Sequence, residues 1–235
     1  MSFPIEPSTF KENPYKEEWF DQDFLYSPDG NKTYPNHHCK KTFEVSFPFI
    51  KEFRVALDIG CRDGEFSRYL QHYFQHTYAF DARMRKSFPF NVDLKKTTHF
   101  CCALGDEPGE LLMSGGQHKY IEGKAAHYKV FTLDSFGFEN VDYIKIDVEG
   151  FEQKVLLGGV ETIKKNLPLI VIEQNDVCLP GEEPFAAKKW LEALGYKHVA
   201  TCHRGWDYIM QPPKKLKDAS SGGVLGNLLN SILSR

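Results

Sequence analysis

The stretch from Val141 to Glu152 reads VDYIKIDVEGFE. Strict alternation puts Val141, Tyr143, Lys145, Asp147 and Glu149 on one side of a strand, and Asp142, Ile144, Ile146 and Val148 on the other. Ionisable side chains therefore share one face of an otherwise apolar strand. An unpaired charge is expensive to bury, so this strand either faces water or ends at a site that uses its acids.

Its neighbours decide between the two. RVALDIG (Arg54–Gly60) is a short apolar run closing on glycine, and EFSRYLQHYF then carries Phe66, Tyr69, Leu70 and Tyr73 at helical spacing. HTYAFD follows as a strand, then a broken helical stretch around Arg85 to Leu94, then THFCCAL as a third strand. Gly105 to Lys129 reads as an insertion holding a hairpin. After VDYIKID come the helix FEQKVLLGGVETIKKN, the strand PLIVIEQN and the helix FAAKKWLEALGY, stopped by Gly195. KHVATCHR and WDYIMQ form a closing hairpin. Alternating strands and helices predict an α/β fold, a doubly wound, mostly parallel seven-stranded sheet with an antiparallel C-terminal hairpin. Ligands of such sheets bind beyond the carboxyl ends of the strands, where Asp147 and Glu149 then stand. Lys145, deeper in the strand, is expected to neutralise a carboxylate such as Asp147 or Glu173.

The 235 residues, 41% hydrophobic and 26% charged with a net charge of -3, describe a globular protein without a basic footprint for a nucleic-acid backbone. No nucleic-acid partner is expected. No apolar run approaches bilayer length, so no integral membrane segment is expected, and the N-terminus lacks the basic-then-apolar pattern of a signal. A cytoplasmic, reducing setting follows, with the six cysteines as reduced thiols. His37, His38 and Cys39 resemble a metal box but have no spaced partner pair nearby, and they read as a surface loop. Residues 1–50 read as an irregular extension anchored by Phe10, Tyr15, Trp19 and Phe20, residues 51–212 as the α/β domain, and residues 213–235 as a tail. The tail's VLGNLLNSILSR makes one apolar helical stripe, suited to docking on the domain or to homo-oligomer formation.

The first strand ends in DIGCRDG (Asp58–Gly64), where Gly60 and Gly64 allow a sharp turn and close approach to a ligand. About twenty residues on, Asp81 ends the next strand, where an acid accepts both hydroxyls of a ribose. The pair points to a nucleoside cofactor. A pyrophosphate cradle needs GxGxxG, and Arg62 and Asp63 stand in its place; that counts against a nicotinamide-dependent oxidoreductase. An acidic turn suits the cationic sulfonium and ammonium of S-adenosyl-L-methionine instead.

LDIGCRDG, Phe80 and Asp81, TLDSF (Thr132–Phe136), VDYIKIDVEGFEQKVLLGG (Val141–Gly159) and VIEQN (Val171–Asn175) together resemble the FkbM family of S-adenosylmethionine-dependent methyltransferases, over about Arg54 to Met210. The family commonly has Asn where Arg62 or Asp63 lies and Glu where Asp81 lies, which are mild departures. The resemblance implies a class I, Rossmann-like methyltransferase sheet and methyl transfer to oxygen, often on a sugar, glycan or secondary metabolite. It implies that Asp58 and Gly60 border the methionine, that Asp81 holds the ribose and that Ala103 and Leu104 flank the adenine. Asp147 then lies beside the sulfonium, and Glu173 and Asn175 end the fifth strand.

An alcohol is a poor nucleophile until its proton is taken, so a base or a metal is expected. Asp147, Glu149 and Glu173 are the catalytic candidates, and Asp147, Glu173 and Asn175 are the candidate ligands for Mg2+. His118 and His127 are alternative bases. The competing expectation is a noncatalytic binding module on the same fold.

Overall fold

A computed structural model describes residues 2–113, 126–174 and 183–216. Before the first predicted strand stand a hairpin, β1 (Phe24–Tyr26) and β2 (Lys32–Pro35), and a helix, α1 (His37–Ser46). The segment that shows no sustained periodicity in sequence thus carries regular structure. The main run is β3 (Val55–Ile59), α2 (Ser67–Tyr73), β4 (His76–Asp81), α3 (Phe88–Asn91) and β5 (Thr97–Cys101). There follow β6 (Ala103–Leu104), β7 (Gly109–Met113), β8 (Ala126–Phe131), β9 (Val141–Ile146), α4 (Glu152–Leu157), α5 (Val160–Asn166) and β10 (Leu169–Glu173). Helix α6 (Ala186–Ala193) and the strands β11 (Lys197–Cys202) and β12 (Asp207–Gln211) close the chain as described.

Seven strands form one sheet in the order β11-β12-β10-β9-β3-β4-β5, and β12 alone runs antiparallel to its neighbours. This is the predicted α/β architecture. From β3 the chain winds outward through β4 to β5, then returns to lay β9 against the other side of β3. The carboxyl ends of β3 and β9 therefore flank the topological switch.

Both faces of the sheet are covered, as a parallel sheet requires. Leu57, Ile144, Ile146, Ile170 and Ile172 pack on one side with Val155, Ile163 and Trp190. Ala56, Tyr143, Leu169 and Val171 pack on the other with Phe43 of α1 and Phe66, Leu70 and Phe74. The face carrying Tyr143 and Lys145 is thus closed by α1, an element of the N-terminal fifty residues. That segment is fastened elsewhere too. Phe10 stacks on Phe88, Trp19 on Tyr26 and Phe20 on His72, Tyr15 shares a hydrogen bond with His72, and the buried Arg68 donates to the carbonyls of Trp19 and Phe24.

From β3 onward, two elements differ from their sequence reading. THFCCAL is not one strand: it stops at Cys101, and Ala103 and Leu104 pair instead with β8 in a three-stranded sheet with β7. FEQKVLLGGVETIKKN is not one helix but α4 and α5, broken at Gly158 and Gly159. The reason is a close approach. A Cβ on Gly158 would stand 1.9 Å from the carbonyl oxygen of Gly105, so the chain leaving β6 passes where a side chain would be. The Asp134 carboxylate then caps α5, accepting from the amides of Glu161 at 3.0 Å and Thr162 at 2.7 Å, while its own amide donates to Gly158. TLDSF and LLGG are two halves of one clasp.

His118, Asn175 and the tail from residue 217 lie outside the described residues. Among the described residues no helix is long and apolar enough to cross a membrane.

Gly158→Ala puts a methyl into the backbone of Gly105 and is expected to cost about 3 kcal/mol, the upper end of overpacking, which is roughly 6–12 °C in melting temperature for a domain of this size. Thermal unfolding by circular dichroism checks it; a shift under 2 °C means that the two segments separate freely.

Candidate active site

The site begins where β3 and β9 end. Gly60 adopts φ +88°, and a Cβ there would fall 1.8 Å from the Asp147 carbonyl oxygen. Only glycine lets the two strand ends meet so closely. The amides of Gly60 and Cys61 both donate to the Phe80 carbonyl, at 2.8 and 3.0 Å, tying the turn to β4. Gly64, at φ +86°, faces Val92, whose Cγ1 would lie 2.8 Å from an added Cβ. Its lack of a side chain serves packing against the α3 segment. Asp58 is buried and accepts from Ser67 Oγ at 2.5 Å; burial pushes its carboxyl up to about 7.

Asp81 ends β4 and accepts the amides of Arg62 at 3.0 Å and Arg83 at 2.7 Å, one on each oxygen. Each oxygen keeps a lone pair, which suits a ligand that donates two hydroxyls. Burial raises its carboxyl above the ordinary range, against those two amides. An open cavity of about 510 Å³ starts one residue later, lined by Ala82, Arg83, Met84, Arg85, Cys101 and the His127–Lys129 segment of β8. Ala103 and Leu104 belong to the small sheet beside it, and Leu104 is packed into the main core.

Asp147 and Glu173 are brought together. Glu173 is the last residue of β10 and Asp147 follows the last residue of β9, and the two carboxyls couple, each shifting the titration of the other. Burial, then Asp147, pushes Glu173 up to about 9. For Asp147 burial acts upward too, but the Lys145 ammonium and the Glu173 proton outweigh it and hold the carboxyl below its ordinary range. The pair therefore rests as an ionised Asp147 beside a neutral Glu173. Lys145, 3% exposed, stands 3.7 Å from Asp147 Oδ2 and 3.3 Å from Asp207 Oδ1. Burial works against its charge, and Asp207 and then Asp147 keep it ionised. Thr42 of α1 donates to the other Asp207 oxygen at 2.6 Å. The Asp147 side chain keeps 32% of its surface open.

Glu149 is exposed and sits apart from that pairing, in a left-handed turn with φ 56°. The amides of this turn are satisfied by Glu152, whose Oε1 accepts from Val148 and Gly150, both at 3.1 Å. Burial pushes Glu152 up to about 7. His127 is exposed, 3.4 Å from Glu110.

The sequence reading missed Asp207 and His203, and it placed His38 in a surface loop. Asp207 is the acid that opens an apolar strand, the same signal that singled out Lys145. His38 is no loop residue: it lies on α1 and stacks on His203 at 4.4 Å, held there by a turn in which His203, Arg204 and Gly205 all have positive φ.

The family model described as the methyltransferase FkbM domain matches residues 51–198, more than half of the chain. The chain belongs to the FkbM methyltransferase family. Among solved structures, the FkbM methyltransferase of Methylobacillus flagellatus KT is similar at 16% identity over 53% of this chain and 34% of its own, TM-score 0.39. The alignment thus spans about a third of that protein. A precorrin-6y C5,15-methyltransferase of Geobacter metallireducens GS-15 is similar at 17% identity over 83% and 96%, TM-score 0.45. An Aquifex aeolicus S-adenosylmethionine-dependent methyltransferase is similar at 15% over 76% and 100%, TM-score 0.38. At such identities and scores none of the three says anything about the substrate of this FkbM chain. No curated protein matches it.

The raised titration of Glu173 has a signature in stability. A folded-state Glu173 near 9, against an ordinary value near 4.5, keeps a proton that the unfolded chain releases, so its contribution is full below 4.5 and is lost as pH rises toward 9. Glu173→Gln donates to Asp147 without titrating. Its melting temperature relative to wild type is expected to climb from pH 5 to pH 8; a difference independent of pH means that Glu173 titrates as an ordinary carboxyl.

Proposed function

We propose that this chain is an S-adenosylmethionine-dependent O-methyltransferase acting on a hydroxyl of a sugar, glycan or secondary metabolite. The observation that carries the reading is the Asp147–Glu173 pair at the carboxyl edge of the sheet, with Asp147 one-third open and ion-paired to Lys145 and Glu173 pushed toward its neutral form. With Glu173 neutral, the one ammonium of Lys145 stands against the carboxylates of Asp147 and Asp207, so the edge keeps a net negative charge. That charge favours a cationic cofactor. The acceptors at Asp81 suit ribose hydroxyls, and the cavity from Ala82 to Arg85 lies where the adenosine would follow.

When bound, S-adenosylmethionine supplies the methyl group. Asp58, Gly60 and Gly64 shape the turn beside it, and Ala103 and Leu104 back the far side of the adenosine region. The transfer is a displacement that needs alignment and a deprotonated oxygen. Asp147 accepts a hydrogen bond from the acceptor hydroxyl, and the pair takes up its proton. Glu149, exposed on the next turn, holds the acceptor rather than the proton.

Mg2+ at Asp147, Glu173 and Asn175 fits this arrangement poorly. The Lys145 ammonium already stands 3.7 Å from Asp147 Oδ2, and a hard dication would have to compete with it.

S-adenosylhomocysteine at a hundredfold excess over its dissociation constant is expected to stabilise the chain by about 2.7 kcal/mol, with no such effect from NAD. A shift with NAD alone overturns the assignment. Incubation with methyl-labelled cofactor and a pool of metabolites and glycans, read by mass spectrometry, is expected to give a labelled methyl ether. Labelled products that carry the methyl only on nitrogen or carbon count against oxygen as the acceptor atom. Asp147→Asn is expected to lower product formation about 10²–10⁴-fold at saturating cofactor while S-adenosylhomocysteine still binds. Unchanged turnover removes Asp147 from the chemistry. Adding Mg2+ to chelator-treated protein is expected to leave the yield unchanged, and a Mg2+-dependent rise reinstates the metal.

A further inference from the structure

The fold brings together three metal-ligating side chains that the methyl-transfer reading does not use. His38 and Cys39 lie on α1, and Glu65 lies in the turn after β3, 26 residues further along the chain. One ligand atom from each stands within 4.8 Å of the other two. Cys39 is 7% exposed and Glu65 8%, while His38 is partly buried. Among the described residues this is the one such group of three.

Each of the three is unoccupied as a ligand. No hydrogen bond or ion pair engages the Cys39 thiol or either His38 ring nitrogen among the described residues. Glu65 is held on one oxygen only: Tyr34 donates to Oε1, and the Arg62 guanidinium lies 3.3 Å from the same atom. Its Oε2 has no partner there. Asn36, fully buried, donates to the Glu65 carbonyl at 2.7 Å and so fixes the glutamate's backbone against the start of α1. Partners that grip one oxygen of a carboxylate and leave the other free are what orient a metal ligand.

We propose that His38, Cys39 and Glu65 form a zinc site with three protein ligands and an open fourth position. The donor set is one thiolate sulfur, one imidazole nitrogen and one carboxylate oxygen, a borderline-soft combination that favours zinc over Mg2+ or Ca2+. Tetrahedral zinc spaces its ligand atoms about 3.3–3.8 Å apart, so side-chain rotations of roughly 1 Å close the set. On binding, the thiol proton leaves to solvent and the Zn–S, Zn–N and Zn–O bonds form without any change of oxidation state. The dication then meets the negative charges of a thiolate and a carboxylate, while Arg62 stays paired with the carboxylate's other oxygen. The ion would pin α1 to the turn that leads from β3, next to the edge where Asp147 lies. The inference stands apart from the methyl-transfer reading, and its test does not use turnover.

The experiment uses untagged full-length chain, stripped with chelator, desalted and titrated with zinc sulfate. One zinc per chain is expected to be retained, with a rise in melting temperature. Cobalt(II) in its place is expected to give a thiolate-to-metal charge-transfer band in the near ultraviolet. Cys39→Ser is expected to abolish that band, and Glu65→Gln to weaken zinc at least about 10-fold. His37→Ala, on the exposed start of the helix, and Cys202→Ser are expected to change neither. If Cys39→Ser fails to fold, the cobalt spectrum of the wild type and the Glu65→Gln titration decide. No retained zinc, wild-type affinity in both ligand variants, or a loss confined to His37→Ala or Cys202→Ser each overturns the site.

Discussion

A buried ammonium organises this molecule. Lys145 sits in the penultimate position of a strand covered on both faces, 3% exposed, and an uncompensated charge there would cost several kcal/mol. Its two partners come from different directions: Asp147, two residues on, and Asp207, at the start of the antiparallel strand β12. Because Asp207 also accepts from Thr42, the same cluster locks helix α1 onto the sheet. One charge thus couples the central strand, the closing hairpin and the N-terminal segment, and it sets the ionisation of Asp147.

The sequence blocks that carry the family resemblance turn out to be largely devices for closing backbone. Gly60 is glycine because the Asp147 carbonyl occupies the space of a side chain. The acid at the end of VEGFE satisfies two amides of its own turn, and the acid of TLDSF caps the helix that LLGG begins. These contacts hold the carboxyl edge in shape with little freedom, which is what displacement chemistry asks of a scaffold. Most of these motif residues serve to place Asp147 and Glu173.

The N-terminal segment is more than a wrapping. Its helix supplies Phe43 to one core face, Thr42 to the ion-pair cluster, and His38 and Cys39 to the edge beside the switch point. Its periodicity is hidden in sequence because α1 buries Cys39, Thr42, Phe43 and Ser46, a set in which only two residues look apolar. Hydrophobic spacing finds a helix only when its buried face is recognisably hydrophobic.

By itself the sequence determined the order of the main-sheet strands and their helices from β3 onward, the glycine turn and the acids at the ends of β4, β9 and β10, because period-two and 3.6-residue patterns and strand-end carboxylates are local signals. It also determined the family, through motif blocks whose spacing survives without knowledge of contacts. Only the tertiary structure decided that Asp147 and Glu173 couple, that Asp207 answers Lys145 across 62 residues, and that Glu65 meets His38 and Cys39. It alone decided that Ala103 and Leu104 leave the main sheet and that the long helix breaks at Gly158. Pairings between distant positions depend on sheet order and on the close approach of backbones, and neither leaves a periodic trace in the chain.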